Sequence, residues 1–270
     1  MVTSPYMSAR RFVLRYVRWA IISYYENKAN YTKTKIGLLW VPLANMLFVV
    51  LLVALFAGRG TQNVLDYFLY VASGFILWVF IQDTIAQGST IFISKRDFAI
   101  SNSLTVDDQM TKETMERMFR HVLNVLLFFF ILMFITPTDL PRFIVLYGVF
   151  SIFLFWTSYQ LSYVLSTLVV MYPDIGNGTQ LLTRFLFFAS PVFWRSDINV
   201  SLTGVETLGF REMLELVNPV SYYLSIARQI IGVEAFSMER VVGALLISLF
   251  IAMTAFVLER KLGAQVKNTF

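Results

Sequence analysis

Asp83, the pair Asp107–Asp108, His121 and Arg184 are the side chains whose type or setting could do chemistry in this sequence. An adjacent aspartate pair can hold a magnesium-bound diphosphate, the chemistry of a polyprenyl-phosphate-dependent membrane transferase. That centre needs a second acidic motif facing the first, and the other polar segments expected on the same side carry none. His121, the single histidine, stands where an apolar run begins, a solvated or capping setting to which no chemistry is assigned. The chain has no cysteine, so disulfides, zinc–thiolate sites and cysteine nucleophiles are excluded. The patterns G-x-x-x-x-G-K-[ST], H-E-x-x-H and G-x-S-x-G are absent, and with them the usual means of binding ATP, activating zinc-bound water or presenting a serine nucleophile. The expectation is a protein that is not an enzyme by itself, with no catalytic residues, metal or cofactor of its own.

Arg184 interrupts an otherwise uncharged run over 175–193, about nine residues in, or roughly 14 Å along a helix. Three roles are open to it: snorkelling to headgroups, pairing with Asp83, or meeting an anionic substrate across a cavity. Leu181, Arg184, Phe185 and Phe188 share one face at helical spacing, with Phe193 and Trp194 near the end of the run. Arg184, Phe185, Phe188, Phe193 and Trp194 form the predicted substrate path. Ionisable residues deep in apolar runs are otherwise few, which disfavours a proton- or sodium-driven carrier.

These residues need a bilayer around them. Of 270 residues, 57% are hydrophobic and only 14% charged, a balance outside the soluble globular range. A bilayer core of about 30 Å needs about 20 apolar residues in helical form. Six runs qualify, 36–58, 67–94, 121–138, 143–172, 175–193 and 241–258. The expected fold is an all-α integral membrane protein of six transmembrane helices, one domain over 1–270. Short basic loops stay in the cytoplasm, and all seven lysines fall on one side if both termini are cytoplasmic. The stretch 94–120, with Lys95, Arg96, Lys112, Arg117 and Arg120, then reads as a cytoplasmic loop.

Three segments are not spans. Residues 10–30 place Phe12, Tyr16, Trp19, Ala20 and Ser23 on one helical face and Arg11, Arg15 and Arg18 on another, as in an amphipathic interface helix. Residues 94–116 form the longest polar stretch on the cytoplasmic side, where Phe98, Ile100 and Leu104 give a short helix an apolar edge. Residues 196–236 are too apolar for disorder; 209–217 and 219–231 predict two short helices broken at Asn218–Pro219, an outer re-entrant hairpin that survives only inside protein or a wet cavity.

In this order the parts resemble the permease subunit of ATP-binding-cassette polysaccharide exporters, O-antigen type. The landmarks are Tyr31, Thr34, Ile36, Gly37 and Trp40 entering the first run, Asp174–Ile175 before the fifth, Ser190-Pro191-Val192-Phe193 ending it, and Asn218–Pro219 in the hairpin. Pro173 stands where the family often has arginine. The resemblance implies a multi-pass subunit of the bacterial plasma membrane that pairs with a second copy of itself and docks two nucleotide-binding subunits. ATP and magnesium would be held by those partners, and no nucleic acid is involved. It also implies that the amphipathic helix and the loop between spans two and three touch the nucleotide-binding subunits, here through Lys95, Phe98, Leu104 and Asp107. The cargo would be a lipid-linked surface glycan such as O-antigen. Capsule, teichoic acid and a small lipid or drug are the alternatives that share this topology.

Overall fold

The computed structural model describes residues 5–57, 63–94, 96–101, 104–195 and 209–269, with the backbone alone for 5–13, 15, 30, 98–99 and 262–269. Among the described residues every regular element is helical. Five segments, Gly37–Phe56, Val64–Ser94, Val106–Ile135, Leu140–Met171 and Met238–Lys261, are long and apolar enough to cross a membrane. The chain is a multi-pass membrane protein. The sixth expected span is helix α8, Asp174–Ala189, of only 16 residues, about 24 Å at 1.5 Å per residue.

Helix α1, Pro5–Asn30, precedes a turn whose geometry explains the spacing of the first landmark. The Thr34 hydroxyl donates to the Tyr31 carbonyl (2.8 Å) and accepts from the Gly37 amide (3.1 Å). Gly37 sits at φ +63°, a left-handed conformation that a side chain makes costly. Helix α2, Trp40–Phe56, starts three residues later.

Helix α3, Val64–Ala86, is capped by the Asn63 side chain, which accepts from the Leu65 amide. It is the centre of the molecule: Val71, Ala72, Ile76, Leu77 and Trp78 are all buried, and α2, α6 (Val106–Ile135), α7 (Leu140–Met171), α8 and α10 (Pro219–Ile230) pack around it. A tight turn at Gly88–Thr90 leads to α4, Ile91–Ser94, and α5, Arg96–Ser101. Gly88 has no room for a side chain, because a Cβ would collide with the Ser162 hydroxyl.

Helix α6, Val106–Ile135, starts well before the apolar run at 121, capped by Thr105, whose hydroxyl accepts from the Asp108 amide. Much of the polar stretch 94–116 is therefore helix. Lys112, Arg117 and Arg120, read from sequence as loop charges, lie within α6, the first two fully buried. His121 likewise does not open a helix. It is buried in mid-α6, its ring 4.8 Å from that of Phe80 and 6.0 Å from that of Tyr147.

Helix α7, Leu140–Met171, carries Pro141 in its first turn, where a missing N–H costs nothing. After α8 come α9, Phe210–Val217, α10, Pro219–Ile230, and α11, Met238–Thr269. The break at Asn218–Pro219 is where the sequence puts it; the first part of the 196–236 hairpin, 196–208, lies outside the described residues. Val217 and Pro219 share a cavity with Thr84, Ile85 and Leu165, whereas Ile230 and Ile231 border Asp66 and Asp139 at the end where α3 and α7 begin. The α9–α10 turn thus borders one cavity and the end of α10 another.

Candidate functional site

Between α2, α3 and α8 runs an open groove of about 590 Å³. Asn45, Gln82, Gln180, Thr183 and Arg184 supply its polar groups, and Phe48, Phe75, Trp78, Phe187 and Phe188 its aromatic walls. Three of these polar groups, Asn45, Gln82 and Thr183, are held by their own helix or a neighbour. The Asn45 amide donates to the Asn124 side-chain oxygen (2.9 Å), which ties α2 to α6. The Trp78 indole N–H donates to Gln82 Oε1 (3.0 Å) one turn on, and the Thr183 hydroxyl donates to the Gln180 carbonyl. Arg184 is exposed in the groove, and among the described residues it makes no ion pair.

The rings form a continuous belt. Phe48 and Phe75 lie 5.0 Å apart, Trp78 and Phe187 5.6 Å, and Phe187 and Phe188 5.3 Å. Phe193 extends it, 5.5 Å from Phe187 and 5.2 Å from Phe56. Trp194 closes that end, its indole N–H donating to the Phe188 carbonyl (3.0 Å). Of the residues expected to line a path, Arg184 and Phe188 face the groove, and Phe193 and Trp194 continue its aromatic wall. Phe185 lies outside the groove and is 66% exposed on α8. The groove side of α8 holds Gln180, Thr183, Arg184, Phe187 and Phe188, which shares Arg184 and Phe188 with the row chosen by spacing and replaces Leu181 and Phe185 with Gln180, Thr183 and Phe187. Asn45, Gln82 and Gln180, polar groups inside uncharged runs, were the sequence signal for it.

The segment 190–194 is anchored by a residue of the second hairpin helix to which the sequence analysis gave no role. Arg228 of α10 is buried, with 1% exposure, and its guanidinium lies 3.5 Å from the centre of the Tyr70 ring. It donates to the carbonyls of Pro191, Val192 and Tyr70 and pairs with Glu234 (3.3 Å). Tyr70 and Tyr67 hydroxyls donate to the carbonyls of Trp194 and Phe193, and Asn218 Nδ2 donates to Ser190 Oγ (2.8 Å). The Ser190–Phe193 and Asn218–Pro219 landmarks thus meet in space. Gly74 makes room, since a Cβ there would lie 2.6 Å from Arg228 Nη2.

At the opposite end of the bundle α1 packs on the first turns of α6. The Trp19 indole N–H donates to Asp108 (3.1 Å), the Ser23 hydroxyl donates to the Lys112 carbonyl (3.3 Å), and Lys112 pairs with Glu26 (2.7 Å) and Glu113 (3.2 Å). Leu14, Val17 and Ile21 face outward as an exposed apolar stripe, so α1 has two apolar faces, one used by α6. Arg117 donates to Ser162, and Arg120 pairs with Glu116 and Asp83. Asp107 is exposed at the start of α6, and Leu104 is partly buried before it. Lys95 and the side chain of Phe98 lie outside the described residues. Asp108 is engaged with Trp19 and Thr105, and among the described residues no three His, Asp or Glu side chains are grouped to hold a metal ion.

A second cavity, of about 700 Å³, lies on the other side of α8. Leu165, Leu182, Leu186, Leu246 and Phe250 make it apolar, with the hydroxyls of Thr157 and Tyr223 at its wall.

No protein-family model matches the chain. Over 196 residues it is 21% identical to the O-antigen export system permease protein RfbA of Myxococcus xanthus, a stretch that covers 72% of each chain.

Proposed function

We propose, with that likeness as premise, that this chain is the membrane subunit of an ATP-driven exporter that moves a lipid-linked surface polysaccharide of O-antigen type across the bacterial plasma membrane. The observation that carries the reading is the groove between α2, α3 and α8, in which an arginine that makes no ion pair among the described residues and side-chain amides stand on an aromatic belt. A sugar chain packs its C–H faces on rings while its hydroxyls take the amides. Arg184 suits the phosphates of a lipid carrier, because a guanidinium can hold two phosphate oxygens by parallel bonds.

The groove is open along one side, flanked by exposed apolar residues of α2 (Leu47, Val50, Leu51) and α8 (Leu181, Phe185). A second copy related by twofold symmetry would bury both rows and close the groove into a conduit. The α8 stretch, with the α9–α10 hairpin dipping from the outer side, completes a six-span subunit with both termini in the cytoplasm. Energy comes from two separate nucleotide-binding subunits that hold ATP and magnesium; this chain makes and breaks no bond. Those subunits dock where α1, α5 and the start of α6 gather, with Lys95, Phe98, Leu104 and Asp107 at the contact.

A second reading, export of a small lipid or drug, is favoured by the apolar cavity behind α8. The two part in liposomes containing this chain and its nucleotide-binding subunits. Lipid-linked glycan raises ATP turnover under the polysaccharide reading. Stimulation by the lipid carrier alone, with no further effect of glycan length, sinks it.

A further inference from the structure

A third cavity, of about 530 Å³, opens at the end of the bundle where α3 and α7 begin and α6 ends. Asp66 from the first turn of α3, Asp139 and Arg142 from the start of α7, and Arg195 line it, with Thr136 behind them. Among the described residues none of the four charged side chains is in an ion pair, although two carboxylates and two guanidiniums share one cavity. Arg195 is held in place by stacking instead, its guanidinium 4.3 Å from the centre of the Tyr70 ring. The Thr136 hydroxyl oxygen is buried with no hydrogen-bond partner, which in a native fold calls for an explanation.

Two charges of each sign, not neutralising one another, select a ligand that carries both. A divalent cation meets two arginines, and a simple anion meets two carboxylates. A neutral sugar satisfies hydroxyl-bonding groups and leaves the net charges unused. The level of the cavity narrows the source. Asp66 and Asp139 lie where the apolar stretches of α3 and α7 start, the depth of lipid headgroups, and Leu65, Ile144 and Val145 beside them are exposed.

We propose that this cavity is a binding site for the headgroup of a zwitterionic phospholipid bearing a primary ammonium, with phosphate on Arg142 and Arg195 and ammonium on Asp66 and Asp139. The inference goes beyond the transport reading and does not depend on which cargo is moved. An ethanolamine ammonium has three N–H donors for the carboxylates, whereas a choline headgroup has the same charge and no donor. That difference is the basis of the test.

The protein is placed in nanodiscs of phosphatidylethanolamine, phosphatidylcholine and phosphatidylglycerol in equal amounts, and the lipids it retains are counted by native mass spectrometry. The wild type is expected to hold phosphatidylethanolamine about tenfold over each of the others, the equivalent of one charge-assisted hydrogen bond. Asp66→Asn with Asp139→Asn removes the preference over phosphatidylcholine, and Arg142→Gln lowers retention of both zwitterionic lipids. Asp139 makes no side-chain capping bond to α7, α3 is capped by Asn63 rather than Asp66, and Asp66 and Arg142 are exposed, so both variants leave the melting temperature unchanged. Equal retention of the three lipids by the wild type overturns the proposal, as does an Asp66→Asn, Asp139→Asn variant that still prefers phosphatidylethanolamine. Preferential retention of phosphatidylglycerol marks an anion site, and displacement of the lipid by maltoheptaose marks a sugar site; either also overturns it.

Discussion

Asp83 meets Arg120, not Arg184: its Oδ2 lies 3.4 Å from Arg120 Nη2, and Gln87 joins the pair by accepting from the same guanidinium at 2.7 Å. Arg184 is thereby left to the groove. The Asp83–Arg120 pair links α3 to α6 close to the buried Lys112 and Arg117, so the polar end of the bundle is a connected set of charges in a largely apolar chain.

This separates two substitutions that spacing alone would couple. Arg184→Gln should change stability by no more than about 0.5 kcal/mol, as for an exposed site without a structural partner. Asp83→Asn, which strips Arg120 of a partly buried partner, should cost about 1–3 kcal/mol. Under the export reading Arg184→Gln keeps basal ATP turnover in the assembled complex and loses glycan stimulation. Loss of assembly in Arg184→Gln, restored by adding Asp83→Asn, would contradict the pairing seen here.

Arg228 should be among the most sensitive positions in the fold. Arg228→Met removes the ion-pair partner of Glu234 and the guanidinium donor to the carbonyls of Pro191 and Val192, leaving Glu234 with Ser225 and Pro191 with Tyr70 as donors, a loss of about 3–5 kcal/mol by analogy with broken buried pairs. Gly74→Ala should act in the same direction, because its Cβ invades the same guanidinium. Thermal unfolding in detergent reads both. An Arg228→Met protein that melts with the wild type would show that the 190–194 segment is held by something else.

Accessibility tests the orientation. Asp139 and Tyr172 are exposed at opposite ends of α7, whose 32 residues span about 48 Å. Cysteines placed there should react with a membrane-impermeant thiol reagent from opposite sides, Tyr172→Cys from the cytoplasm, with no native cysteine to blur the signal. Lys112 is the wrong place for such a probe, being buried against Glu26. Labelling of both positions from one side would refute the topology.

The contact of α1 with α6 should matter for coupling. Trp19→Ala removes a buried ring and its bond to Asp108, about 3 kcal/mol or more of local packing, while every spanning helix keeps its apolar run. The expected outcome is a membrane-inserted complex in which glycan no longer raises ATP turnover, measured in liposomes with Glu26→Gln as the milder companion. Unchanged stimulated turnover in Trp19→Ala would remove α1 from the transmission path.

The uncharged runs and the proline and glycine punctuation were legible in the chain because hydropathy and backbone sterics act locally. The uncharged run that begins at 36 holds α2, Trp40–Phe56, the break at Asn218–Pro219 fell between α9 and α10, and Gly37 took the left-handed turn its landmark requires. Arg184 and Phe188 could be placed on one face of a helix for the same reason, and both border the groove. The face itself needed the neighbours: Asn45 and Phe48 come from α2 and Phe75, Trp78 and Gln82 from α3, so the row of α8 that meets them depends on helix rotation, which sequence spacing leaves free. The charged residues of α6 were misplaced because their partners, Glu26 and Asp83, lie on other helices. A hydropathy reading counts Lys112 and Arg120 as charges in water, whereas the fold supplies the carboxylates that let them be buried. Arg228 is the extreme case. By itself it is a cation in a connecting segment; only the approach of Tyr70 and the Pro191 and Val192 carbonyls offers it enough polar contact to sit inside the protein.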